Sequence, residues 1–230
     1  MTDRMLPEPH RYAVCAADDA RIKDFYSGFF SEVFICLHPF LLPLNIHSSL
    51  FKPETYPNKA AIREKTKPVS WAKFLELSKI DSIQTLDIAL RTRIGGLNKT
   101  YQNSQAAAMV DLALEEQNLI EPDEGCFPEI LFDQWLHILL SMGHRWVWLG
   151  DEHCTERKLY FIQELIDSPD LPGEINMFTH QNEILLTTHW DSHFTLICGS
   201  KPDLEKLIEQ CDLEGFYCTE ETKIYWSLST

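Results

Sequence analysis

The groups best suited to chemistry are clustered in the run THWDSHFTLICG, where His189, Asp191 and His193 alternate with Trp190 and Ser192. On a straight strand, side chains two apart share a face, so these three would point the same way. Two imidazoles and a carboxylate converging from one strand make a ligand set for a divalent transition metal, Zn²⁺ or Fe²⁺. Asp18, Asp19, Asp151, His153 or Cys154 could complete the shell. Without a metal, the same groups could serve as general acid and base. Length argues against the straight strand: from 183 to 198 it would hold 16 residues, whereas strands run to about 10. Broken at Asp191-Ser192, both turn-forming types, the run becomes a hairpin whose three polar groups no longer line up. The expectation is a hairpin tip with two solvated histidines. A metal is expected only if the chain runs straight through Asp191, and no other cofactor is expected.

A second cluster, Asp151-Glu152-His153-Cys154, pairs a thiol with a base. Adjacent residues point apart, and nucleophilic catalysis needs the two within hydrogen-bond reach. A charged loop between strands is therefore expected, with His144 left open as a distant base for Cys154. Ser70 and Lys73 match an S-x-x-K pattern. Ser70 is also a good helix N-cap, and no partner motif accompanies it. The glycines of RIGGLNK (93–99) fit a helix C-cap better than a phosphate loop, which needs a strand before it. No nucleotide-binding glycine pattern, nucleophile elbow, H-E-x-x-H or zinc-finger spacing occurs. Trp146 and Trp148 alternate on one strand face. With Trp190 and Trp226 on other strands they would form one aromatic layer, either core or the wall of a binding site.

The elements that must position these groups divide the chain. Residues 1–20 read as a loose arm. A short helix (19–30), a buried strand (32–40) and a proline-rich irregular crossover (39–68) follow. Helical periodicity then covers 69–78, 81–97, 103–119 and 128–143. After Gly143 the pattern changes to strands at 145–150, 158–165, 174–180, 183–190, 193–199 and 222–228, interrupted by one helix at 201–213. Segregated helices and strands imply an α+β fold: a helical N-terminal half packed on a C-terminal, mainly antiparallel sheet with one inserted helix. The expected organisation is a single unit over 1–230, its mainly helical part at 21–143 and its β-rich acidic part at 144–230.

Charge is unevenly placed. The net charge is −15; residues 1–100 carry 14 basic and 11 acidic groups, and residues 101–230 carry 6 and 24. An acidic second part disfavours nucleic acid and suits a basic protein partner or simple solubility. Seven cysteines at irregular spacing, several in apolar runs, fit a reducing cytosol rather than a disulfide framework. The proline-broken N-terminus is not read as a signal peptide, and no apolar run is long enough for a membrane span. The expectation is a cytoplasmic protein with no membrane or nucleic-acid partner; its oligomeric state stays open.

Four phrases, LHPF (37–40), KPVSW (67–71), RIGGLN (93–98) and HWDSHFTL (189–196), together resemble an uncharacterised family of bacillus-type bacteria that includes the YwbB-like proteins. The similarity extends over most of the chain. It implies a bacterial, cytosolic protein and brings no activity, cofactor or catalytic residue with it. The functional expectation is a non-enzymatic interaction module with an acidic C-terminal surface, a toxin-neutralising immunity protein being one instance. The alternatives are an enzyme using His189, Asp191 and His193 with His153 or Cys154, and a small-molecule binder with Trp146, Trp148, Trp190 and Trp226 as pocket wall.

Overall fold

Side-chain caps fix the helix starts in the computed structural model, which describes residues 12–228. After α1 (Ile22–Phe25), β1 (Glu32–Leu37) and β2 (Phe40–Pro43), helix α2 (Lys59–Lys65) is capped by Asn58 and runs into β3 (Thr66–Val69). Ser70 caps α3 (Trp71–Ser78), its hydroxyl accepting the Lys73 N–H at 3.0 Å. Ser82 caps α4 (Ile83–Ile94) and Asn103 caps α5 (Ser104–Gln117) in the same way. These side chains satisfy backbone donors that the first helical turn leaves free. Pro128 opens α6 (Glu129–Ser141), and Gly143, two residues past its end, has a positive φ. The chain then alternates between the sheet and its covers: β4 (Trp146–Gly150), β5 (Arg157–Phe161), α7 (Ile162–Asp167), β6 (Asn176–Thr179), β7 (Leu185–Thr188), β8 (Phe194–Gly199), α8 (Lys201–Cys211) and β9 (Gly215–Tyr217).

The seven-stranded sheet is antiparallel throughout, in the order β5-β4-β6-β7-β8-β1-β9. β2 and β3 form a separate two-stranded sheet. Both faces of the large sheet are covered, because alternate residues of its central strands feed two different cores. Val33, Ile35 and Leu37 of β1, with Phe194 and Leu196 of β8, pack on Trp71, Phe74, Leu86, Leu90 and Val110 of α3, α4 and α5. Phe34, Cys36, Ile197, Val147 and Leu149 point the other way, onto Phe132, Trp135 and Leu136 of α6 and Leu204 and Leu207 of α8. Strands buried on both sides must be apolar at every position, and β1 and β8 are nearly continuous apolar runs.

The α+β class therefore stands, with corrections to its layout. The N-terminal half also supplies β1, which lies between β8 and β9 instead of beside the helices. The first helix is only one turn, and the proline-rich crossover contains β2, α2 and β3. Residues 162–165, expected as strand, start α7. The 222–228 segment is not a strand: Lys223 makes one isolated bridge to Arg21, and Trp226–Leu228 is a 3₁₀ turn. Of the arm expected over 1–20, residues 1–11 lie outside the described residues. From residue 12 onward it is tied down, with Ala13 and Ala16 buried and the Tyr26 hydroxyl donating to the Val14 carbonyl at 2.7 Å.

Candidate functional site: an acidic cleft over a buried histidine

The chain turns between β7 and β8 as a hairpin. Ser192 N–H donates to the His189 carbonyl at 3.0 Å, placing Trp190 and Asp191 at the corner, one residue earlier than the expected break. The loop before α6 buttresses this turn, with Gly125 N–H donating to the Ser192 carbonyl at 3.0 Å. Gly125 has φ +63°, and a Cβ there would overlap the Trp190 carbonyl oxygen and lie 3.0 Å from its carbon. Only glycine tolerates both the positive φ and the close approach.

The turn brings His189 and Asp191 together and leaves His193 apart. His189 Nδ1 faces Asp191 Oδ1, and its Nε2 faces Asp18 Oδ1 at 2.5 Å. A neutral imidazole carries one N–H and can serve one carboxylate; both are served only when the ring carries both protons. Asp191 also accepts the Tyr225 hydroxyl at 2.8 Å. Gly96, just past the C-cap glycine of α4, lets that helix end approach: a Cβ there would sit 3.1 Å from Asp191 Oδ2. Burial pushes the Asp191 carboxyl up, but the hydrogen bonds from His189 and Tyr225, with the charges of His189 and Arg91, outweigh it and leave it below the usual range.

Beneath Asp191 the polar network continues into the core. Arg91 is fully buried, donates to the Ile224 carbonyl at 3.0 Å, pairs with Asp87 at 3.0 Å, and lies over the Tyr225 ring at 4.7 Å. Asp87 also accepts the Ser227 hydroxyl. Burial raises the Asp87 carboxyl in spite of Arg91 and Ser227. Thus α4, the hairpin tip, the C-terminal segment and residues 17–19 meet through charged hydrogen bonds.

The surface above is a cleft of about 730 Å³ lined by Val14–Asp19, Phe25, Glu152, His153 and Thr188–Trp190. Asp18, Asp19 and Glu152 give it three carboxylates, and among the described residues no lysine or arginine lines it. Trp190 at its rim is 55% exposed. A second depression of about 740 Å³ adjoins it through Asp18 and Asp19 and adds Tyr101, Glu221, Lys223 and Tyr225.

The histidines expected to be wet are both buried, His189 at 6% and His193 at 1% exposure. Burial, then the charges of Arg91 and Arg93, hold His193 down to about 3, so it stays neutral. Each nitrogen of His189 already faces a carboxylate, and among the described residues no three His, Cys, Asp or Glu side chains are grouped as a metal requires. In the loop 151–156, His153 lines the cleft while Cys154 is buried at φ +50° against Gly150. His144 pairs with Glu183 at 3.4 Å.

The four tryptophans do not form one layer. Trp146 packs on Phe161, Trp148 stacks on Phe178, Trp226 meets Phe216, and Trp190 leans on His189. Asp18, named among the groups that could join this cluster, does reach it, on His189; spacing could not reveal Arg91, Gly96 or Tyr225 as neighbours of Asp191. The one signal was the pair Gly95-Gly96, one glycine more than a C-cap needs.

Fold and site define an α+β protein with an antiparallel sheet covered on both faces and a carboxylate-lined cleft at the end of one hairpin. The chain belongs to the family described as "Protein of unknown function (DUF2711)", whose model matches residues 18–228. No curated protein and no solved structure matches it. Among the described residues, no helix is long and apolar enough to cross a membrane.

Proposed function

We propose that the protein is an interaction module whose cleft receives a basic segment of a protein partner. The observation that carries this reading is the lining of the cleft: Asp18, Asp19 and Glu152, with exposed Trp190 at the rim and, among the described residues, no lysine or arginine. Carboxylates beside an aromatic face suit a guanidinium or ammonium group, by ion pairing and cation–π attraction. The adjoining depression beyond Asp18 and Asp19 gives room for an extended segment rather than a lone cation. Steering by the −15 net charge would speed encounter and be weakened by salt.

In this reading the protein works in a reducing bacterial cytosol of bacillus type, as its seven free thiols and the phrases of the sequence suggest. Neutralising a basic toxin is one form the role could take. The test uses a five-residue peptide with two arginines, titrated calorimetrically against the whole chain. Binding should weaken about tenfold in the double variant Asp19→Asn, Glu152→Gln, a loss of about 1.4 kcal/mol, and should fall as salt rises. No heat of binding, or binding indifferent to both changes, would sink the proposal.

A second reading is favoured by one observation, the orientation of His189 by buried Asp191 with Nε2 turned toward the cleft. That is the arrangement of a general acid/base histidine. Asp18 would then leave Nε2 for a substrate proton, and a compound consumed by the wild type and not by His189→Gln would establish it.

A further inference from the structure

Where the C-terminal segment passes between α4 and β9 it leaves a cavity of about 390 Å³. Ile83 in the first turn of α4, Phe216 of β9 and Trp226 of the C-terminal 3₁₀ turn form its apolar wall. The local fold holds this wall in place. Trp226 meets Phe216 edge to face, with centroids 4.9 Å apart and planes at 76°. Thr222 closes the turn after β9 by accepting the Thr219 N–H at 2.9 Å.

One group in the wall is left unsatisfied. Trp226 is 7% exposed, and its indole N–H has no hydrogen-bond partner among the described residues. A buried tryptophan N–H ordinarily finds an acceptor, and one that is stripped of water without a replacement destabilises the fold. The nearby hydroxyls of Thr219 and Thr222 are engaged with each other at 3.0 Å. Among the described residues, Glu221 is the only charged group lining the cavity, and it already pairs with Arg21 at 3.0 Å. An anion would therefore find no cation here, and a cation no free carboxylate. Small-molecule sites run from about 300 to about 1,000 Å³ and combine apolar walls with a few placed polar groups. The cavity has that size and that make-up.

We propose that this cavity binds a small, neutral, flat molecule carrying a hydrogen-bond acceptor. Its ring packs on Ile83, Phe216 and Trp226, and a carbonyl oxygen or ring nitrogen accepts the Trp226 indole N–H. The cavity shares no lining residue with the acidic cleft. Its ligand is uncharged, so binding is indifferent to salt, whereas a basic segment in the cleft is released by it. The two proposals therefore fail separately.

Coumarin, a flat neutral bicycle with a carbonyl acceptor, is the probe, and indole, of similar size but with a donor in its place, is the control. An amide and indole N–H correlation spectrum of the whole chain contains six indole signals, one per tryptophan, and Trp226→Phe identifies the one that matters. Coumarin added to about 5 mM should move the Trp226 signal downfield along a saturating curve. The Ile83 and Phe216 amides should follow the same curve, at low and high salt alike. Trp226→Phe keeps an aromatic ring and removes the N–H, so it should weaken coumarin binding at least fivefold as read from those two amides. Should that variant misfold, the wild type decides through the control: indole should bind at least fivefold more weakly than coumarin. A Trp226 signal that stays in place, coumarin shifts confined to other tryptophans, or indole binding as tightly as coumarin overturns the assignment.

Discussion

Asp191→Asn tests the network beneath the cleft most directly. The carboxylate is 1% exposed and takes hydrogen bonds from the His189 imidazole and the Tyr225 hydroxyl. Hydrogen bonds to a buried charge contribute roughly 1.5–3 kcal/mol each. Asparagine keeps one carbonyl acceptor but turns an N–H₂ toward one of the two donors, so about one such bond is lost, or about 1.5–3 kcal/mol. For a chain of 230 residues each kcal/mol moves the midpoint by about 2–4 °C, giving a fall of about 3–12 °C at neutral pH.

The pH dependence adds an independent check. The folded carboxyl lies below its unfolded value of 3.8, so its contribution is complete above that value and is lost as pH falls through the lower folded one. The wild type should therefore lose stability below pH 3.8 more steeply than the variant. Calorimetric melts of both proteins across acid pH supply the comparison. A midpoint unchanged within about 1 °C at neutral pH, with parallel acid limbs, would refute the reasoning.

Three further outcomes follow from other contacts. Gly125→Ala should cost about 1–3 kcal/mol, because it joins a strained φ to an overlap with the Trp190 carbonyl; a chemical-denaturation midpoint equal to that of wild type would contradict this. Arg91→Met leaves Asp87 buried without its cation and should cost about 3–5 kcal/mol, part of it regained in the double variant with Asp87→Leu; urea titrations of the three proteins compare them. Burial, helped by the Asp123 charge, raises the Glu129 carboxyl from 4.5 to about 7 despite hydrogen bonds from its own backbone and Tyr56. The folded state binds this proton more tightly, so its stabilising effect is complete below pH 4.5 and is lost as pH rises toward 7. Glu129→Gln should match wild type at low pH and melt higher at pH 8, and identical midpoints at pH 8 would show Glu129 to be unperturbed.

Local physics made much of the fold legible. Ser70, Ser82 and Asn103 cap α3, α4 and α5, because a short oxygen before an apolar period satisfies the first-turn donors whatever the rest of the chain does. Strand-length limits likewise pointed to the hairpin at Asp191. What stayed hidden depends on contacts between distant segments. β9 is three residues with no alternation to detect, and it exists only because β1 offers it an edge. The 222–228 run alternates like a strand, but Ile224 and Trp226 are buried against helices and the sheet offers it no partner strand. The site was half visible: His189 and Asp191 stood out by type, whereas their burial comes from Asp18, Gly96 and Tyr225, far away in the sequence.

The place of β1 governs how the chain can reach this structure. Glu32 is paired with Gly199 and Phe34 with Tyr217, so both neighbours of an N-terminal strand are made near the other end. Such distant pairings carry a high loop-closure entropy and slow the search for the native state. During synthesis, Val33–Leu37, apolar toward both layers, emerges long before β8 and β9 exist. The helices α3 to α5 can form while it waits, since they pack on one another. The late step of folding is then the capture of β1 between β8 and β9, and until it occurs this strand is the segment most in need of a chaperone.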